Sequence, residues 1–199
     1  LELFREHGLT GWLAEASLWS FMPRSDWPKS RRVHEVVSLY ADAVLMGEEH
    51  GWLILSGEYG GGKTHLAAGV VKELLLAGQE AYFVSWLEFL EDMKGGNWDH
   101  PWLRRMKGSA LIAIDDVDKY RPSDWSRGMM YRLLNRCYVN RQPVILTLNA
   151  PLDAPATVEM LGQAVVSRAL EVATHLITFD GPDWRALSPQ ARVRAMAVA

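Results

Sequence analysis

The segment GEYGGGKT at residues 57–64 constrains the fold of this chain more than any other feature. Glycines at positions 57, 60, 61 and 62 open backbone angles closed to other residues, so successive N–H groups can turn inward around an anion. Residues 52–56 before it are a short apolar run. After it, Leu66, Val70, Val71, Leu74 and Leu75 recur on one helical face until Gly78 can end the helix. The order is strand, glycine loop, helix, in which a lysine and a hydroxyl at the loop's end meet phosphates at a helix amino terminus. Lys63 is expected to reach the β and γ phosphates of ATP and Thr64 to offer its hydroxyl to Mg2+. Gly57, Glu58, Tyr59, Gly60, Gly61 and Gly62 line the nucleotide in this reading.

The rest of the chain repeats the alternation of strand and helix. Residues 81–85, 110–114, 144–148 and 175–179 are short apolar runs that predict four further strands. Helical spacing predicts helices over residues 32–46, after residue 86, from Ser123 or Asp124 to about Asn140, over 158–172 and over 191–199, with a short helix around 12–19. Pro23 and Pro28 mark residues 21–31 as an ordered crossing segment. The expected fold is a three-layer α/β domain around a five-stranded, mostly parallel sheet with helices on both faces. Residues 1–30 read as an N-terminal segment and 31–199 as the nucleotide-binding domain.

With 199 residues, 49% of them apolar, the chain has material for one core. Its single cysteine, Cys137, allows no internal disulfide and reads as a small buried helix residue. No run of about 18 apolar residues occurs, and the start LELFREHGLT lacks the order of a secretion signal, so a cytoplasmic protein without a membrane partner is expected. The net charge of −3 argues neither for nor against an anionic partner, but arginines cluster at 31–32, at 104–105 beside Lys107, and at 127, 132, 136 and 141.

The third predicted strand runs into Asp115 and Asp116. An anion at the end of a buried strand is costly without a cation or a hydrogen-bonding partner, so Asp115 is the expected magnesium-side carboxylate. Asp116 then becomes the candidate base that orients water toward the γ phosphate, the alternative being a turn cap before Val117. Asn149, just after the fourth strand, could hold that water or sense the γ phosphate, an arrangement that favours hydrolysis over transfer to a small molecule. Thr147 reads as structural.

Together GEYGGGKTHLAA, ALIAIDD at 110–116, VILTLN at 144–149 and the pair Ser167-Arg168 resemble the AAA+ ATPases, specifically bacterial helicase loaders of the DnaC and DnaI type and the similar IstB transposition ATPases. The resemblance spans about residues 21–185. It implies a P-loop NTPase core without a carboxy-terminal lid domain and includes His65 of the THLAA continuation in the nucleotide set. Asn149 matches the first sensor. Arg168 matches an arginine that reaches the ATP of a neighbouring subunit, although a surface helix arginine is the other reading. Arg185 matches a late arginine that contacts nucleotide in cis or supports the domain edge. Tyr59, Asp116 in place of glutamate, and Asp118 where glycine is frequent depart from the pattern and predict slow turnover.

The resemblance implies an ATP-dependent homo-oligomer that engages a replicative DNA helicase and single-stranded DNA. Because the chain starts at Leu1 with at most about 20 residues before the domain, the recruiting module is expected to lie outside it. Arg104, Arg105 and Lys107, in a segment that also offers Lys94, Trp98, His100 and Trp102, are the candidate DNA contacts; Arg132 and Arg136 are the other candidate face. An IstB-like transposition ATPase, a nucleotide-gated binding module with negligible turnover and a P-loop kinase are the alternative functions.

Overall fold

Five short runs rich in β-branched and aliphatic residues pair into one parallel sheet in a computed structural model of the chain, which describes residues 2–48, 51–94 and 101–196. The strands are β1 (Trp52–Gly57), β2 (Ala81–Ser85), β3 (Leu111–Asp115), β4 (Val144–Leu148) and β5 (Ala173–Phe179), in spatial order β2-β3-β4-β1-β5. Every pairing is parallel, where the sequence suggested a mostly parallel sheet.

Helices α1 (Glu2–Glu6), α2 (Lys29–Leu45), α3 (Lys63–Leu76), α4 (Trp86–Asp92), α5 (Pro101–Arg105), α6 (Asp124–Val139), α7 (Pro155–Leu161), α8 (Gln163–Val172) and α9 (Pro189–Met196) surround it. Strand side chains alternate between two cores, as the two-residue strand period dictates. Leu53, Leu55, Ala113 and Ile145 pack with α2 and α3 on one face, while Ile54, Ile112, Ile114, Val144 and Leu146 pack with α4, α6 and α8 on the other. Cys137 of α6 is fully buried in the second core, where burial pushes its thiol up to about 11. Among the described residues no helix is long and apolar enough to cross a membrane.

Three local expectations need correction. The single helix expected over residues 158–172 is two, because Gly162 adopts φ 89° and ψ 142°, a conformation essentially reserved for glycine, and so ends α7 and starts α8. The helix expected around 12–19 shrinks to a 3-10 turn, Gly11–Ala14; beyond it Ser17 and Ser20 exchange backbone-to-hydroxyl hydrogen bonds of 2.9 and 3.0 Å that compete with helix formation. Strand β5, expected to be buried on both sides, lies at the sheet edge and leaves Thr174, Leu176 and Thr178 exposed.

Residues 2–30 pack onto the domain. Leu9, Ala16, Leu18, Phe21 and Trp27 belong to the core shared with α2 and α3, and the His7 carbonyl accepts a 2.9 Å hydrogen bond from Phe83 N of β2. This packing brings residues 12–24 beside the glycine loop.

Candidate functional site

Parallel strands place all their carboxyl ends on one side, and the chemistry-bearing residues of three strands converge there. The loop after β1 carries Lys63, β3 ends in Asp115, and Asn149 follows β4. They line one cavity of about 660 Å3 together with Thr64, Asp116 and Lys119.

The glycine loop is held from outside. Gly57, Gly60 and Gly62 have φ of 123°, 73° and 100°. A Cβ on Gly60 would fall 1.6 Å from Asp183 Oδ1, and one on Gly62 would fall 2.7 Å from the Phe21 ring. Side chains are thus excluded by packing as well as by backbone angle, and the backbone can follow a phosphate chain closely. Lys63 is buried and donates to the carbonyls of Gly57 and Glu58 at 2.5 and 2.7 Å. Burial lowers its pKa, with partial compensation from Asp116. An anion near this buried ammonium restores the charge balance.

Thr64 Oγ1 donates to Asp115 Oδ1 and Oδ2 at 3.0 and 3.2 Å. Thr147 Oγ1 on β4 donates to Asp115 Oδ1 at 2.5 Å and accepts from Asp116 N at 2.9 Å. Asp115 is buried, and its pKa is raised to about 6 by burial and by the charge of Asp116, against the pull of the two threonine hydroxyls. Paired hard oxygens of this kind suit Mg2+, which takes one or two protein oxygens and completes its shell with phosphate and water. Among the described residues no cluster of three or more His, Cys, Asp or Glu offers a cage independent of nucleotide.

Asp116 adopts φ 55°, and its carboxylate accepts a 2.7 Å hydrogen bond from Lys119 Nζ. The same ammonium lies 4.8 Å from the Tyr59 ring centroid. Asp118 accepts from Asn149 N at 2.6 Å and from Asn149 Nδ2 at 3.0 Å, which leaves Asn149 Oδ1 buried without a partner. His65 lines the cavity, but its Nε2 is 3.0 Å from both the Ser17 carbonyl and Ser20 Oγ, and burial lowers its pKa. The ring therefore ties the amino-terminal segment to α3.

Sequence reasoning missed the far wall of the cavity, where Trp12, Phe21, Met22, Arg24 and Trp184 gather. Arg24 is buried, forks onto Asp26 with bonds of 2.9 and 2.8 Å, reaches the Pro182 carbonyl at 3.0 Å and lies 4.9 Å from the Trp184 ring centroid. It joins two segments separated by the whole domain, so no local motif could have disclosed the wall. Arg185 lies on this side, exposed, with its Nε 3.5 Å from Asp183 Oδ1.

Other expected site residues lie elsewhere. Arg168 on α8 is outside the cavity, 4.9 and 5.7 Å from the ring centroids of Tyr131 and Tyr138 on α6, and donates to Tyr131 Oη at 3.2 Å. Arg104, Arg105 and Lys107 are exposed on and after α5, also away from it. Trp98, His100 and the side chain of Trp102 lie outside the described residues. Trp86 is fully buried against Phe89.

Comparison with known proteins agrees with this geometry. A protein described as ATP-binding in an insertion sequence of Mycobacterium tuberculosis is 27% identical over 143 residues, covering 67% of this chain and 55% of that protein. The replicative helicase loader DnaC of Escherichia coli is 25% identical over 120 residues, 58% of this chain and 48% of the loader. The chain thus spans about half the length of these relatives. A crystal structure of the DnaC helicase loader superposes with a TM-score of 0.70 at 23% identity, over 85% of this chain and 98% of that one, which establishes the shared fold. Residues 29–186 match the model of one family across both the glycine loop and the acidic strand end, and the chain belongs to that family, the IstB-like ATP binding proteins of the AAA+ class.

Proposed function

We propose that this chain is a slow ATPase of the IstB type that couples ATP binding and hydrolysis to assembly on DNA beside a transposition partner. The observation that carries the ATPase reading is the contact of Thr64 with Asp115 beneath Lys63, within one cavity that also holds Asp116 and Asn149. Lys63 neutralises the β and γ phosphates, and Thr64 with Asp115 holds Mg2+. The metal supplies charge neutralisation at the phosphate oxygens. Asp116 accepts the proton of the attacking water, while Asn149, fixed through Asp118, offers its buried Oδ1 to orient that water.

Arg168, outside its own cavity and against Tyr131 and Tyr138, reaches the nucleotide of a neighbouring copy, so one complete site belongs to two subunits of an ATP-dependent homo-oligomer. Arg185 contacts nucleotide in cis from the wall beside Trp184. Arg104, Arg105 and Lys107 touch DNA. The IstB family match and the insertion-sequence relative support the transposition setting.

Helicase loading is the second reading, favoured by the similarity to DnaC in sequence and fold. Phosphate release measured with and without DNA tests the ATPase. DNA-stimulated release that Lys63→Ala and Asp116→Asn abolish is expected, whereas nucleotide binding without release would make the chain a nucleotide-gated binding module. Affinity capture from the native cell, first with ATP and then with ADP, separates the settings: recovery of a transposase supports the first, recovery of a hexameric helicase the second.

A further inference from the structure

The carboxyl end of α6 and the loops that enter β2, β3 and β4 enclose a second cavity of about 630 Å3. In a parallel sheet these entry loops lie opposite the exit loops that carry Lys63 and Asn149. Five strand residues, roughly 16 Å, therefore separate the two cavities. Lys107, Arg136 and Arg141 line this second cavity with Gln79 and Asn140, and no carboxylate does so among the described residues.

The end of α6 does not need these cations as caps. The Arg136 carbonyl accepts Asn140 N at 3.1 Å and Asn140 Nδ2 at 2.7 Å, the Cys137 carbonyl accepts Gln142 N at 2.9 Å, and the Tyr138 carbonyl accepts Arg141 N at 3.1 Å. Arg136 itself donates from Nη1 to the Leu103 carbonyl at 3.1 Å, while its Nε and Nη2 are buried without an acceptor. That edge is closed to a ligand in the open cavity, so Arg136 contributes an uncompensated charge to the wall and not a direct contact. Arg141 adopts φ 50° just beyond the helix, the left-handed position where glycine is the usual residue. A long cation is thus kept where glycine would be less strained.

We infer that this cavity is a phosphate-binding site distinct from the nucleotide site, with Lys107 and Arg141 making the direct contacts and Arg136 adding its charge from the wall. The ligand chemistry is a phosphate group, carried by a nucleic-acid backbone or free as a small anion. The nucleic-acid source rests on the DNA-associated role proposed above. The Arg136 contact to the Leu103 carbonyl joins the cavity wall to α5, which carries the exposed Arg104 and Arg105.

The test uses Lys107→Gln with Arg141→Gly, at an exposed side chain and at a backbone position that glycine relaxes, so loss of folding does not obscure the result. Arg141→Gly alone serves as a second variant. Binding of a single-stranded oligo-dT is followed by anisotropy across a salt series, and pyrophosphate binding by calorimetry in a Lys63→Ala background that removes the first phosphate site. Because Lys107 already belongs to the DNA surface proposed above, Arg141→Gly decides. Its loss of one backbone contact flattens the logarithmic salt slope by about 0.7 for single-stranded DNA, against about 1.4 for the double variant, and assigns the site to a nucleic-acid phosphate. Pyrophosphate affinity reduced about tenfold, with the DNA slope unchanged, assigns it to a free anion. If neither ligand responds, the inference is wrong. Absence of ATP hydrolysis in the unmodified protein would count against the ATPase reading and leave both binding tests decisive for this cavity.

Discussion

Lys119 Nζ and Asp116 Oδ2 stand 2.7 Å apart, so the candidate base is ion-paired to a lysine three residues later in the same loop. The Tyr59 ring, 4.8 Å from that ammonium, ties the pair to the glycine loop. Residues that depart from the AAA+ pattern, Tyr59 and Asp116, are therefore in one contact chain.

Lys119→Gln releases Asp116 from this pair. Both side chains are partly exposed, so the pair contributes about 1 kcal/mol or less, and turnover should rise by up to about fivefold. Steady-state phosphate release checks it; a fall in turnover would instead place Lys119 on the phosphates of the nucleotide.

Asp118 is the only partner found for the Asn149 side chain among the described residues, and it also accepts Asn149 N. Asp118→Ala should leave the buried asparagine unanchored, costing about 1–3 kcal/mol of stability. Turnover should fall roughly ten- to a hundredfold with ATP affinity little changed, since Asn149 is misplaced while Lys63 is not. Thermal melting, nucleotide titration and phosphate release separate these effects, and unchanged turnover would remove Asn149 from the mechanism.

The Asp115 carboxyl, raised from 3.8 to about 6 by burial and by Asp116, sets a pH window. Only its ionised form can hold Mg2+, so affinity is lost as pH falls through about 6. From pH 7 to pH 5 the Mg·ATP affinity should drop about tenfold. The sign for folding is the reverse: the native protein keeps this proton to higher pH than the unfolded chain, so the Asp115 contribution to stability declines between about pH 4 and 6. Calorimetry of Mg·ATP binding across pH, beside Asp115→Asn, checks the first effect, because the variant should lack the bend that Asp115 produces.

Arg168 stacks on Tyr131 and Tyr138 at the α6–α8 surface, outside its own nucleotide cavity. Arg168→Ala should retain ATP binding but lose turnover. Mixed with Lys63→Ala under conditions that drive assembly, it should recover part of the phosphate release, because an intact Lys63 then meets an intact Arg168 across some interfaces. Mixed oligomers without recovery would place Arg168 in cis or in folding.

The glycine loop, its strand and its helix were legible in the sequence because their constraints are local. Residues 57–64 demand a tight anion-facing turn, and the period of the flanking apolar residues sets the element on either side. The strand ending in Asp115 and the helix starting at Asp124 followed from the same periodicity, and the structure adds a capping box at Ser123 that fixes the helix start. What periodicity could not register was the break at Gly162, where one residue's backbone angles overrule an apolar pattern that continues across it. The hold of Asp118 on Asn149 and the wall built by Arg24 and Trp184 depended on tertiary structure. Each needs the distance between side chains from separate turns, strands or chain ends, and that distance exists only after the parallel sheet has brought its carboxyl ends together. Sequence spacing alone specified a phosphate loop and an acidic partner; packing decided which residues restrain them.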